Sequence, residues 1–427
     1  MRICDARRRS AQCQSRQRPK IFQQQQGSAM RTKRLIDRKL LAGASVLALM
    51  AFASPAFAMN LPSPQKFEAG PLGTLDVSGG FDGFFYGISG AGTSSILGNQ
   101  KSAGAEARVL ELTVTKSSGP IQFTLDVKPD DSLYFGVQPQ AMNAHTFSLG
   151  PVYAAYVTWA PTANFNISVG QVYSTEGWES STDWKNANLI DSPLYYVENS
   201  SSRGVQASYT YGKLSATLTF GDGFDTGVFN TFQELVTYSF DSNNALSFYG
   251  TQNVGFTGPN THAYGSTSTA YANSFTGYGY NAYNPAYENS DMYGAYYSYT
   301  HGNLNVVPEV QYVYSKPNSR LGLNKFTSNF GAEVITNYQF GKSPWSLGSM
   351  VFYYKNIGPQ AWYLNANSSG FGIGVTPSWI KGHFFVRGEV GLLHLTDLGT
   401  PAVGGGFGNS GTDRNQVMGV LAAGIVF

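Results

Sequence analysis

Glu176, Glu179, Asp183, Asp191 and Glu198 stand against a single cation, Lys185, in the stretch VYSTEGWESSTDWKNANLIDSPLYYVENSSS, residues 172–202. Folded into a narrow aqueous passage, such a group sets a negative potential where the dielectric is low and favours cations. Left in bulk solvent, the same charges are a hydrated loop. The stretch is the third long connection of the chain, a position that favours the inward arrangement. Covalent chemistry has less support. The five histidines, His145, His262, His301, His383 and His394, are scattered, and none forms an H-x-H or H-E-x-x-H group. Gly341-Lys342-Ser343 ends like a phosphate loop, but Thr336 stands where its first glycine belongs. GGGFGNSG, near residue 404, is not followed by a helix that could hold a phosphate. No catalytic residue, metal or cofactor is therefore expected, and a hydrolase built from a rim Ser or Asp with a His is the least favoured alternative.

The N-terminal region separates from the rest. Arg31, Lys33, Arg34, Arg38 and Lys39 precede an apolar run from Leu40 to about Ala53, and Ala56-Phe57-Ala58 places small residues at the two positions a signal peptidase reads. The expected organisation is an upstream extension over 1–29, a signal peptide over 30–58 and a single domain over 59–427. A membrane anchor would need about 20 strongly apolar residues, and Gly43, Ser45, Ser54 and Pro55 thin this run. Residues 1–58 hold 12 of the 28 Lys+Arg and 2 of the 26 Asp+Glu, so 16 against 24 remain and the exported part carries about −8. That excludes a basic nucleic-acid surface. Both cysteines, Cys4 and Cys13, fall in the removed part, so no disulfide staples the domain and no lipid-bearing cysteine follows Ala58.

The elements that must position the acidic stretch alternate with period two. In PIQFTLDVK, Ile121, Phe123, Leu125 and Val127 interleave with Gln122, Thr124, Asp126 and Lys128. In NFGAEVITNYQF one row reads Phe330, Ala332, Val334, Thr336, Tyr338 and Phe340. No long stretch of helical period follows the leader, so the chain is all-β. About sixteen segments can be marked, beginning at 75–87 and 105–116 and ending at 383–394 and 415–427. Short turns such as APTA, YGK, DSNN, HGN and GKSP alternate with much longer connections. An even count, short turns on one side and long loops on the other predict a transmembrane antiparallel up-and-down β-barrel of the bacterial outer membrane, with short periplasmic turns and long extracellular loops.

The bilayer explains the pattern. Hydrocarbon offers backbone amides no partner, so a sheet can span it only by closing on itself behind an apolar outer row. From Phe330 to Phe340 ten steps cover about 33 Å, which at a tilt of about 40° is close to 25 Å of height, the thickness of the apolar band. The row is aromatic at its ends and aliphatic between, as in FGIGVTPSW with Phe371, Ile373, Val375, Pro377 and Trp379. A soluble two-layer sandwich requires neither feature. Asp126, Lys128, Lys213, Glu309, Glu333, Arg387 and Glu389 fall on the opposite rows and are expected to face a water-filled lumen. Arg108 fits no register, because it shares its row with Leu110 and Leu112. The Tyr-, Gly- and Asn-rich loop GFTGPNTHAYGSTSTAYANSFTGYGYNAYNPAYE is expected to be a surface loop.

Residues 156–212 resemble the OmpL-like β-barrel porins. Val169, Gly170, Gly177, Glu179, Asn186, Asn188, Gly204, Val205 and Tyr209 fit that family's outline, whereas Ser192-Pro193 stands where a Ser-Arg pair is expected. The resemblance implies a pore of undefined substrate. Phe427 is similar to the terminal aromatic that barrel-assembly machinery recognises. Together these readings predict passive diffusion of small hydrophilic solutes or ions, with outer-membrane lipid around the barrel and a homo-oligomer, a trimer by analogy, as partners. The alternative is an adhesin or structural barrel.

Overall fold

The computed structural model describes residues 61–92, 101–139, 142, 151–224, 226–258, 285–402 and 404–427. The expected extension 1–29, the signal segment 30–58, His145, His262 and most of the Tyr-rich loop lie outside the described residues. After a short strand β1 (Gln65–Glu68) come β2 (Thr74–Ile88), β3 (Ala103–Lys116), β4 (Ile121–Val127), β5 (Val152–Thr162) and β6 (Phe165–Tyr173). Next are β7 (Ser201–Tyr211), β8 (Leu214–Asp222), β9 (Phe229–Ser239), β10 (Asn244–Asn253), β11 (Asp291–His301) and β12 (Leu304–Ser315). The last are β13 (Thr327–Gln339), β14 (Trp345–Ile357), β15 (Ser369–Lys381), β16 (Phe384–Asp397) and β17 (Asn415–Val426).

From β2 to β17 every strand pairs antiparallel with its sequence neighbours, and β17 returns to β2 through Met418↔Ile88 to Val426↔Gly80. The result is a closed sixteen-stranded barrel. Phe427 exchanges both backbone hydrogen bonds with Gly79, at 3.0 and 2.9 Å. Beyond that point β1 takes over the vacated edge of β2, from Gln65↔Val77 to Glu68↔Thr74. Closure leaves no strand edge to seek a partner in lipid.

The outer face carries the apolar rows. Phe330, Tyr338, Trp345, Val351, Phe371, Ile373, Val375, Val417 and Leu421 are exposed, while their inward neighbours are buried. The unplaced Arg108 has a structural reason. Asp82 pairs with Val109 and Gly83 with Ala107, so Arg108 is the extra residue of a β-bulge and it and Val109 are both buried. A bulge shifts the alternation by one residue, which is why no uniform register fits VLELTV and Arg108 together. Lys213 is a correction: β7 and β8 close on the pair Gly212-Lys213, and Lys213 is exposed in that turn with its ammonium on the carbonyl of Phe240.

A second correction concerns the inner wall. It is mainly polar from β4 to β9, a buried apolar cluster on β10–β12 holds Tyr249, Met292, Tyr296, Val307 and Val313, and on β13–β17 and β2 it carries Ile335, Met350, Phe352, Tyr354, Phe385, Leu393, Met418 and Val420, all buried. Water does not cover these residues. Leu133, Tyr134 and Phe135 from the β4–β5 connection and Ala187, Leu189 and Ile190 from the β6–β7 connection pack on them. This half of the lumen is a hydrophobic core between wall and loops.

Candidate functional site

The β6–β7 connection, residues 174–200, lies inside the barrel, and the wall is shaped for it. Gly348 of β14 faces Ala187, whose carbonyl oxygen would be 2.0 Å from any added Cβ. Gly331 of β13 leaves room in the same way for Leu194, and Gly391 of β16 for Phe135 and Ile190. Side chains at these positions would hold the loop off the wall.

Charge fixes what shape admits. The buried Arg387 guanidinium donates to the carbonyls of Asn186 and Ala187 at 2.9 and 3.0 Å and to that of Asp183, while its Nε donates to Ser378 at 3.0 Å. Two residues along β16, in the same inward row, Glu389 Oε2 accepts from the backbone N–H of Ile190 at 3.1 Å and of Leu189. Thr376 donates to it as well, at 2.8 Å. Bonds of this kind, with one ionised partner, are the stronger class. Across the loop Arg108 lies 3.6 Å from Asp183 and 3.5 Å from Asp191, and Lys185 lies 2.7 Å from Glu111. Lys128 bonds Ser181, sits 3.8 Å from Asp130 and covers the Tyr153 ring at 3.3 Å. Asp126 accepts from Tyr173 at 3.0 Å and from Thr113 at 3.3 Å.

The six loop residues singled out from the sequence thus divide by surroundings. Asp183 and Asp191 are buried against Arg108, and Glu176 is buried with Asn199, whose backbone and side-chain N–H groups donate to it at 2.6 and 2.9 Å. Glu179, Lys185 and Glu198 are half-buried. Glu179 accepts from the backbone N–H of Ser192 at 3.3 and 3.2 Å, at the start of a one-turn helix, Pro193–Tyr196. Glu198 accepts from Gln311 at 2.7 Å. Behind them on the wall stand Glu309, which accepts from Tyr249 at 2.6 Å and from the N–H of Trp178 at 3.2 Å, and Glu333. Enclosure in protein, and then the neighbouring Glu333 and Asp191, push the Glu179 carboxyl well above its ordinary range; enclosure, then Glu309 and Glu176, does the same to Glu198. Burial raises Asp191 to about 7 despite the opposing Arg108.

Several participants escaped the sequence reading: Arg108 and Glu111 on β3, Tyr249 and Gln311 on the wall, and the inward segment of the β4–β5 connection. That segment is tied down by Gly136 N–H on Gln416 at 2.7 Å, Tyr363 on the Phe135 carbonyl at 2.9 Å and Asp191 N–H on the Leu133 carbonyl at 2.7 Å. Its signal was the apolar triplet Leu133-Tyr134-Phe135 in a stretch otherwise read as loop. The described histidines stay out of the lumen. His301 ends β11 at a turn, His383 contacts the Val426 carbonyl at 2.8 Å, and His394 lies on the outer row beside Phe371. Among the described residues no group of three or more His, Cys, Asp or Glu is arranged to hold a metal ion.

With the barrel and its inward loop described, comparison with known proteins gives the family. The family described as "Putative beta-barrel porin-2, OmpL-like" matches residues 81–427. The chain belongs to this OmpL-like porin family. Family and fold place it in the bacterial outer membrane as a channel protein and suggest no enzyme. Among solved structures it is similar to OmpT, an outer membrane protein of Vibrio cholerae, in its in-vitro folded form at 14% identity and a TM-score of 0.51, covering 84% of this chain and 98% of that one. The outer-membrane expressed OmpT of Vibrio cholerae gives 12%, 0.51, 85% and 100%. Salmonella typhi OmpF in complex with daunomycin gives 11%, 0.50, 83% and 98%. At these identities the likeness is one of fold. No curated protein matches the sequence significantly.

Proposed function

We propose that this OmpL-like porin is a passive diffusion channel for small hydrophilic solutes or ions, leaning towards cations and carrying out no covalent chemistry. The observation that supports this most directly is the seating of residues 174–200 inside the barrel, anchored by Arg108 and Glu111 on β3, by Glu309 and Gln311 on β12 and by Arg387 and Glu389 on β16. The seated loop narrows the lumen, and Glu179 and Glu198 are its half-buried carboxylates. Asp183 and Asp191 contribute less field there, because both are buried against Arg108 and Arg387 lies beside Asp183 as well. In this reading the signal segment 30–58 exports the chain, Phe427 serves the assembly machinery, and the barrel works as a homo-oligomer, a trimer by analogy, in outer-membrane lipid.

The test is single-channel recording in a planar bilayer under a salt gradient. Stepwise conductance with a cation-selective reversal potential is expected, and E179Q/E198Q should move that potential towards zero selectivity. An unchanged potential in the double variant would remove these two residues from the filter. A second reading, a structural or adhesive barrel, draws on the amount of lumen the loops occupy; it predicts no stepwise conductance at all.

A further inference from the structure

The outer wall carries a feature that neither the channel nor its loop uses. Lys355 sits in the lipid-facing row of β14, beyond Trp345, Leu347, Val351 and Tyr353, and is exposed. Ten steps from Trp345 at a strand tilt of about 40° put it at the upper edge of the roughly 25 Å apolar band, on the long-loop side. It lies directly opposite Phe330 of β13. Lys316 continues the outward row Tyr312, Tyr314 of β12, with its side chain 70% exposed while it touches Asp291 at 3.2 Å. Lys325 and Arg320, both exposed, lie in the connection between β12 and β13. Lys325 and Lys355 make no hydrogen bond or ion pair among the described residues. Between Lys316 and Lys355 the only acid is Glu333, which points into the barrel.

Beneath these cations the wall is aromatic. Tyr293, Tyr312, Tyr314 and Phe326 form a near-parallel stack with centroids 5.7 to 6.4 Å apart, and Phe330 and Tyr353 meet at 6.5 Å. A chain whose exported part is about −8 thus gathers ammonium groups on the outward face of β12–β14, at headgroup height and over an aromatic band. An ammonium there is stabilised by an anion fixed to an acyl chain: phosphate meets the lysines while hydrocarbon covers the rings. We propose that this face binds a phosphorylated glycolipid of the outer leaflet, its phosphates held by Lys316, Lys325 and Lys355 and its acyl chains lying over Tyr312, Phe330 and Tyr353.

The experiment is native mass spectrometry of the purified barrel in detergent, titrated with bisphosphorylated lipid A, with phosphatidylglycerol and with inorganic phosphate as a competitor. K316Q/K325Q/K355Q is compared with K213Q/K342Q/K381Q, which removes three exposed lysines from the short-turn rim. A heat-dependent gel shift verifies that both are folded. Wild type and the short-turn variant should retain lipid A in preference to phosphatidylglycerol, and the upper-rim variant should lose about a hundredfold in affinity. Equal retention by the upper-rim variant, equal binding of phosphatidylglycerol, or displacement of the lipid by inorganic phosphate would overturn the proposal. Conductance is untouched in every arm, so the result is independent of the channel reading.

Discussion

Gly348→Ala tests whether the loop is held by the wall or merely rests there. The new Cβ would lie 2.0 Å from the Ala187 carbonyl oxygen and 2.8 Å from its carbon, where ordinary contact begins at 3.4 Å. Both are backbone atoms, so no rotamer relieves the clash, and wall and loop must separate by about 1.4 Å. The bonds from Arg387 to the Asn186 and Ala187 carbonyls, at 2.9 and 3.0 Å, and from Ile190 N–H to Glu389, at 3.1 Å, would then exceed hydrogen-bond length. Hydrogen bonds to charged groups are worth about 1.5–3 kcal/mol each, so losing these three weakens the seat by about 4.5–9 kcal/mol. A change of about 3 kcal/mol already shifts a seated-to-released equilibrium by about a hundredfold. Single-channel conductance should rise, and chymotrypsin should cut the loop at Trp178, Trp184 or Tyr195. Gly419→Ala is the control, since Gly419 has nothing within 4 Å of an added Cβ. Conductance and cleavage identical in the two variants would refute the idea that close approach at Gly348 seats the loop.

Arg108→Met breaks the buried ion pairs to Asp183 and Asp191 by removing their shared cation, a loss of about 3–5 kcal/mol; the heat-dependent gel shift should occur at a lower temperature than in the wild type, and an unchanged transition counts against the bulge as an anchor. Arg387→Ala should release the same loop from the other side, raising conductance with the barrel still folded, and a conductance equal to wild type contradicts that. For pH, Asp191 is raised from its ordinary 3.8 to about 7, with burial the largest cause, so between those values the native state binds more protons than the unfolded one. Stability therefore falls as pH rises through that window and is greatest below it; Glu176, Glu179 and Glu198 shift in the same direction. Loop cleavage, normalised to a denatured substrate, should be slower at about pH 5 than at about pH 7.5, and the reverse order would show the sign to be wrong.

The barrel was legible because hydrocarbon imposes one rule on every outward position. Phe330 to Phe340 and Phe371 to Trp379 obey it without regard to what lies inside, and the turn Gly212-Lys213 needs only two residues wherever it occurs. Arg108 was not legible, because a bulge is a local choice. Nothing in AEARVLELTV marks which residue is extra, and only the carboxylates of a loop some 75 to 83 residues away, Asp183 and Asp191, explain why an arginine is turned inward there.

The loop site failed to show for a related reason. Charge counting treats Glu176, Glu179, Asp183, Asp191 and Glu198 as equivalent, yet Arg108 and Arg387 make some of them anchors and leave Glu179 and Glu198 half-buried beside the wall. The information lay in the wall rather than in the loop. Val417, Gly419 and Leu421 face lipid, but Met418, Val420 and Ala422 on the opposite face are apolar and buried too. Water would not tolerate that inner row, and lipid cannot reach it, so protein must cover it. A membrane strand that is apolar on both faces therefore reports a loop folded against its inner side, and here the glycines at 348, 331 and 391 mark where that loop lies.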